Sequence, residues 1–176
     1  MTDPLTTSDM PDPAGPAALP EGRLSGRKVF VDLVRQALDT AAHEGWPRIV
    51  LCDADFADWP LGDREVVASL NAWSARGRSL HLLARDYSVL RQTHPRFVQW
   101  RITWSHLVEA QACASAAVDE LPSVLWSPGW TLQRLDTVRC TAVASRSAER
   151  RVALQEQLQQ WWLKSTPAFP ASTLGL

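Results

Sequence analysis

The sequence has few cysteines and no long apolar run. The three cysteines, Cys52, Cys113 and Cys140, stand alone without CxxC spacing, so we expect small buried side chains in a reducing compartment and no disulfide framework. No segment approaches the roughly 18 apolar residues of a membrane span, and residues 1–4 lack the cationic start of a signal peptide. The sequence therefore predicts a cytoplasmic protein with no membrane partner.

Excess charge of either sign is also lacking. The net charge is −1, and a charged fraction of 21% is ordinary for a globular domain. No global field therefore attracts nucleic acid or an anionic membrane, and nucleic acid is not expected as a partner.

Tryptophan, in contrast, is abundant. Nine tryptophans stand against one tyrosine, and all nine lie from residue 46 onward. Because each indole can bury a large area, together they indicate a well-packed core. A length of 176 residues suits one domain with such a core. The tryptophans are Trp46, Trp59, Trp73, Trp100, Trp104, Trp126, Trp130, Trp161 and Trp162.

The pattern along the chain predicts a tail, a domain and a second tail. Residues 1–25 carry five of the twelve prolines and little apolar material, which predicts a disordered tail. In residues 26–166 helical and strand patterns alternate, which predicts a single α/β domain with a mixed sheet flanked by helices. We expect residues 167–176 to form a C-terminal tail that packs on this domain. The predicted strands are 48–52, 80–84, 107–113, 123–126, 131–135 and 138–144, with helices starting near Arg27, Asp63 and Ser147.

Residues 95–106 fit two patterns. From position 98 onward apolar and polar residues alternate, as in a strand, whereas Phe97, Trp100 and Trp104 lie three and four residues apart, as on one helix face. Pro95 suits a helix start and turn residues are few, so a helix is favoured.

The order of the elements resembles a known superfamily. A helix, strand, helix, strand, helix, several short strands and a final helix resemble one phospholipase-D-like domain. Residues 52–56 (Cys-Asp-Ala-Asp-Phe), 59–61 (Trp-Pro-Leu), 162–170 and the final Leu-Gly-Leu are similar to an uncharacterised bacterial branch of that superfamily. Its members stand alone or are fused to acetyltransferase domains. The resemblance covers about residues 26–176 and implies a phospholipase-D-like architecture.

Active members of this superfamily use a His-x-Lys pair and an aspartate four residues later. The histidine attacks phosphorus, and the lysine stabilises charge on the phosphoryl oxygens. With strand 123–126 placed on that element, Leu121 stands at the histidine, Ser123 at the lysine and Pro128 at the aspartate. None of the three can perform this chemistry. The resemblance therefore implies a non-catalytic binding or regulatory module.

Asp53 and Asp55 offer a different chemistry. They follow a hydrophobic strand, where ligands bind in open α/β sheets, and a strand followed by Asp-x-Asp also begins haloacid-dehalogenase-type phosphatases. The alternative function is therefore a Mg²⁺-dependent phosphate-handling hydrolase, although the cation and the later acidic pair of that reaction are missing. The simpler interpretation is that both aspartates shape a turn. Arg85 is the arginine expected near them, and these three residues are the candidate ligand site. No metal site and no cofactor are predicted.

A cluster of arginines suggests a third function. Six arginines and one acid lie between residues 76 and 101. Arginine interleaved with tryptophan is typical of single-strand binding by phosphate pairing and base stacking, which would make the chain a nucleic-acid-binding accessory protein. The alternative is that the arginines lie on outer helix faces and the tryptophans point inward. The candidate residues are Arg91, Arg96, Trp100 and Arg101.

A homodimer is predicted from the same resemblance. Phospholipase-D-like enzymes build one site from two domains, in one chain or across a two-fold interface, and this chain has one. Trp126 and Trp130, near the former motif, are the candidate interface residues. The alternative is that both fill the core of the monomer.

Overall fold

The computed structural model describes residues 15–76 and 78–172. These residues form an α/β domain, as predicted. Its helices are α1 (Arg27–Glu44), α2 (Arg64–Ser74), α3 (Ser88–Thr93), α4 (Pro95–Thr103) and α5 (Ala148–Leu163), with a 3₁₀ turn at Ser105–Leu107. Its strands are β1 (Gly22–Ser25), β2 (Arg48–Cys52), β3 (Ser79–Ala84), β4 (Val108–Ala112), β5 (Ser123–Trp126), β6 (Thr131–Asp136), β7 (Thr141–Ser145) and β8 (Thr166–Pro167).

The eight strands form one mixed sheet in the order β1-β7-β6-β5-β2-β3-β4-β8. Strands β2, β3 and β4 are parallel, as expected where helices connect them. Strand β5 lies antiparallel to β2 and begins the antiparallel half of the sheet. The mixed sheet flanked by helices is therefore confirmed.

Helices cover both faces of the sheet. Helices α1, α2 and α4 pack on one face, where they share a core with Ile49 and Leu51 of β2. Helix α5 packs on the other face through Leu154 and Leu158, against a second core that contains Val50. Because successive strand residues point to opposite faces, the apolar run of β2 contributes side chains to the cores on both faces of the sheet.

Local sequence signals account for the helix ends. Gly45 adopts the left-handed conformation (φ 67°, ψ 51°) and its N–H bonds to the carbonyl of Ala41, which closes α1. Pro95 lies in the first turn of α4. The helical interpretation of this segment is confirmed for residues 95–103, and the strand alternative is wrong.

The N-terminal tail is shorter than predicted. Residues 1–14 lie outside the described part of the chain, but residues 22–25 form β1, which pairs antiparallel with β7. Leu19 is buried, and the indole of Trp130 donates a hydrogen bond of 2.9 Å to the carbonyl of Pro20. The prediction of disorder through residue 25 is therefore wrong for residues 19–25. Pairing with β7 orders a segment that has no apolar pattern of its own.

The C-terminal tail packs on the domain as far as residue 172. β8 pairs with β4, and Phe169 is buried with its ring stacked on Tyr87 at 4.9 Å. Residues 173–176, which include the final Leu-Gly-Leu of the resemblance, lie outside the described residues. Among those described, no helix is long and apolar enough to cross a membrane.

Candidate functional site

The carboxyl end of β2 carries a buried ion pair. Both carboxylate oxygens of Asp53 accept hydrogen bonds from Nη2 of Arg134, at 3.1 and 3.2 Å. The side chains are 4% and 2% exposed. Arg134 comes from β6, two strands away in the sheet, and its Nε donates to the Ser123 hydroxyl directly opposite it on β5. Sequence reasoning missed Arg134, because β6 also contains Thr131, Gln133 and Asp136, so an arginine does not stand out in it.

Each nitrogen of the Arg134 guanidinium donates to a partner within the chain. Its Nη1 bonds to Asp58 at 3.1 Å and to the sulfur of Cys140 at 3.8 Å, and its plane lies over the ring of Phe30 at 4.7 Å. Nε bonds to Ser123 and Nη2 to Asp53. We call Asp53, Asp58, Ser123 and Arg134 the Arg134 network. The network joins the ends of strands β2, β5 and β6.

Burial controls the protonation of Asp53. Removal from water raises the pKa of this carboxyl to about 6, while the charge of Arg134 opposes the rise and that of Asp55 adds to it. Asp55 itself accepts a hydrogen bond of 2.9 Å from the Ala57 N–H. The turn interpretation is therefore confirmed for Asp55, whereas Asp53 has a different role as a buried ion-pair partner.

Arg85 contacts this site through its backbone. Its N–H donates to the carbonyl of Ala54 at 3.0 Å. Among the described residues, no hydrogen bond or ion pair joins its guanidinium to either aspartate. The predicted trio therefore does not form as a side-chain cluster. The arginine side chain that contacts Asp53 is that of Arg134, whereas the sequence predicted that of Arg85.

A pocket of about 370 Å³ opens beside the Arg134 network and is called here the carboxylate pocket. Asp53 and Asp55 line it together with Leu121 and Ser123. Leu121 has no nucleophilic atom, and Ser123 accepts from Arg134. Within residues 15–76 and 78–172, no three His, Cys, Asp or Glu side chains are arranged to hold a metal ion.

The arginine-rich segment is not arranged as a base-stacking surface. Trp100 is 2% exposed and lies in the core beside Phe97, and Arg101 is also buried. Arg91 and Arg96 are exposed on the outer side of α3 and α4. The alternative with tryptophan inward is therefore confirmed for Trp100, and the predicted stacking role is wrong because the indole is covered by the chain itself.

Trp126 and Trp130 are also core residues. They are 5% and 1% exposed, and the Trp126 indole donates to the carbonyl of Arg151 on α5 at 2.9 Å. The interface role predicted for them is wrong, because both side chains are already covered within one chain. A homodimer itself stays a prediction.

A second pocket, of about 350 Å³, lies between the sheet and α5 and is called here the α5 pocket. The guanidinium of Arg48 lies 5.7 Å from the ring of Trp126, and His81 stacks on Trp162 with centroids 5.0 Å apart. Sequence reasoning missed this site, although Arg48 and His81 are polar residues in apolar strands. Its polar and aromatic walls are Arg48, His81, Trp126, Gln155, Gln159 and Trp162.

Arg48 fixes the state of His81. Nη2 of Arg48 lies 3.2 Å from Nδ1 of His81. Because arginine can only donate, Nδ1 accepts, and Nε2 of the neutral ring carries the proton. Burial lowers the pKa of His81, the charge of Arg48 lowers it further, and Glu109 opposes both. The pocket therefore holds one full positive charge and a neutral imidazole at pH 7.

Comparison with known proteins shows the fold alone. No family model and no curated protein matches the chain. Among solved structures, it matches that of TrmBL2, described as an archaeal chromatin protein that shows a novel mode of DNA binding, with a TM-score of 0.61 over 84% of this chain at 12% sequence identity. The chain covers 52% of that protein and so spans about half of its length.

Proposed function

We propose that this chain is a non-catalytic ligand-binding module of phospholipase-D-like architecture, and that its ligand occupies the α5 pocket. The observation that carries the proposal is the concentration of polar and aromatic side chains in an otherwise apolar layer. Pockets of about 300–1,000 Å³ with apolar walls and a few converging polar groups are typical of small-molecule sites, and this one has about 350 Å³.

The carboxylate pocket supports a structural role better than a catalytic one. A Mg²⁺-dependent hydrolase would need the first aspartate free to attack phosphate. Here both oxygens of Asp53 accept from Nη2 of Arg134. Leu121 and Ser123 supply neither the nucleophile nor the cation of the phospholipase-D-like reaction.

One experiment separates binding from catalysis. The purified protein is incubated with a metabolite extract, washed by rapid gel filtration, denatured, and the released compounds are identified by mass spectrometry. We expect a compound that the wild type retains and that both Arg48→Gln and Trp162→Leu lose. Arg23→Gln on the exposed β1 edge and Trp161→Leu beside Trp162 are matched controls that should keep it. Capture equal in all five proteins would overturn the proposal.

The catalytic alternative is tested in parallel. We expect no hydrolysis of bis(p-nitrophenyl) phosphate above buffer, with or without Mg²⁺. Turnover that Asp55→Asn abolishes in a folded protein would show that the carboxylate pocket is an active site and that the non-catalytic proposal is wrong.

A second candidate, a nucleic-acid-binding accessory protein, is favoured by one observation, the likeness in fold to a chromatin protein described as binding DNA. Arg91 and Arg96 are the exposed cations of the four candidate residues, and each also makes a contact within the chain: Arg91 lies over the ring of Phe169, and Arg96 donates to the carbonyl of Gly62.

A further inference from the structure

We infer that the ligand of the α5 pocket is a small planar aromatic monocarboxylate, held with its carboxylate against Arg48 and its ring against Trp162. This inference rests on the proposed binding function and adds the chemical class of the ligand. It follows from the charge, an unsatisfied donor, the aromatic walls and the size of the pocket.

Charge and an unsatisfied donor indicate an anion. Arg48 carries the one full charge among the residues that line the pocket, since no aspartate or glutamate is among them and His81 is neutral. Nε of Arg48 is buried, and no described residue accepts a hydrogen bond from it. Buried donors in folded proteins almost always have a partner. A carboxylate oxygen at this point would supply the partner and neutralise the charge.

The indole of Trp162 indicates a flat ligand. Trp162 lies on α5 and is partly exposed, and one face of its ring is stacked on His81 with an angle of 25° between the rings. The edge and the other face of the indole can bind an aromatic ring by edge-to-face or offset contact. Gln155 and Gln159 are four residues apart on one face of α5, so their amides can bond to polar atoms on the ligand edge.

The charge that the ligand can carry and the volume of the α5 pocket restrict the chemical class of the ligand further. A phosphate monoester would bring nearly two negative charges to a pocket with a single cation, whereas a carboxylate brings one. The volume of about 350 Å³ is near the lower limit for ligand pockets, which suits one or two fused rings. The neutral imidazole of His81 offers its Nε2–H as a second donor to the same anion or to a ring substituent.

Matched probes test each part of this inference. Benzoate and indole-3-carboxylate are the planar anions, benzamide keeps the ring without the charge, cyclohexanecarboxylate keeps the charge without the planar ring, and phenyl phosphate doubles the charge. Binding is measured by isothermal titration calorimetry and by saturation-transfer NMR. We expect the aromatic carboxylates to bind at least about tenfold more tightly than benzamide, as the loss of one charged hydrogen bond predicts. They should also bind more tightly than cyclohexanecarboxylate, which has no aromatic face, and than phenyl phosphate, whose second charge has no cation in the pocket.

Variants then locate the site. Arg48→Gln should weaken indole-3-carboxylate at least about tenfold and remove its preference over the neutral amide. Trp162→Leu should weaken the aromatic acids but not cyclohexanecarboxylate. Arg23→Gln and Trp161→Leu should bind as the wild type does, and melting curves verify that every variant is folded.

The outcomes distinguish this inference from the broader proposal. Tighter binding of benzamide or phenyl phosphate than of benzoate, or binding that Arg48→Gln leaves unchanged, overturns the ligand class. If none of the probes binds, while an extracted metabolite is retained in an Arg48-dependent way, the class is wrong and the binding function stands. If neither experiment shows Arg48-dependent binding, both fail.

Discussion

Arg134 and Arg48 both lie in strands, but they differ in how many of their guanidinium nitrogens have hydrogen-bond partners. Each guanidinium nitrogen of Arg134 has a partner, and two of these partners are carboxylates, so the residue has a structural role. Arg48 has one acceptor, a neutral imidazole, and its buried Nε has none among the described residues. Since unsatisfied buried donors are costly, an acceptor on a ligand in the α5 pocket would stabilise Arg48, whereas each nitrogen of Arg134 already has a partner within the chain.

Replacing Arg134 should destabilise the protein in a pH-dependent way. Arg134→Met leaves Asp53 buried without its cation, and breaking a buried pair costs about 3–5 kcal/mol. The folded-state pKa of Asp53 is already about 6 and rises further without Arg134, whereas the ordinary value is 3.8. The folded state therefore takes up the proton first as pH falls, so the loss should be largest at pH 8 and smaller at pH 5.

Urea unfolding of the variant and the wild type at both pH values measures this difference. Arg27→Met is the matched control, because Arg27 also pairs with Asp58 at 3.0 Å but is 65% exposed, and its loss should cost under about 1 kcal/mol. A loss for Arg134→Met that is the same at pH 5 and pH 8 would contradict the role of the buried Asp53 charge.

At the level of elements, the sequence predicted what apolar patterns encode. Strands β2 and β5 were predicted at their observed ends, because both are runs of buried residues. Strand β1 has three exposed residues out of four and is a strand because β7 pairs with it, and α3 has six residues with only Leu90 buried. Neither leaves a periodic signal.

The candidate site was predictable in the same limited way. Asp53 was placed at the end of a strand from local pattern alone. Its partner is 81 residues further along the chain, and only the strand order brings the two together. The α5 pocket likewise depends on α5 crossing β2 and β3, which no local pattern of Arg48 or His81 specifies.

Removing β1 should lower stability more than removing the residues before it. Deleting residues 1–25 takes away buried Leu19, four residue pairs with β7 and the acceptor at Pro20. Burial of one leucine alone is worth about 1.5–3 kcal/mol, which corresponds to roughly 3–12 °C in Tm for a domain of this size. Thermal unfolding compares this deletion with the deletion of residues 1–14, which keeps every contact described here. Equal Tm values for the two deletions would show that β1 contributes nothing.

At the level of the whole molecule, the sheet separates two surfaces. The α5 pocket lies on the face covered by α5, whereas the arginine-rich segment belongs to α3 and α4, and α4 packs into the core of the opposite face. Variants at one surface should therefore leave the other unchanged, since distant sites act independently. The ligand and nucleic-acid proposals can be tested separately in one protein.

We expect DNA binding to be weak and non-specific, with Kd values of about 10⁻⁴ to 10⁻⁶ M. The net charge is −1, and the Trp100 indole is buried, so phosphate pairing by Arg91 and Arg96 acts without base stacking. Fluorescence anisotropy with single-stranded and duplex oligonucleotides across 50–200 mM salt measures this, with Arg91→Gln/Arg96→Gln as the variant and Arg48→Gln as the control for loss of charge. Tight binding whose salt slope falls by about 2 in the double variant, and is unchanged in the control, would favour the second candidate function over ligand binding.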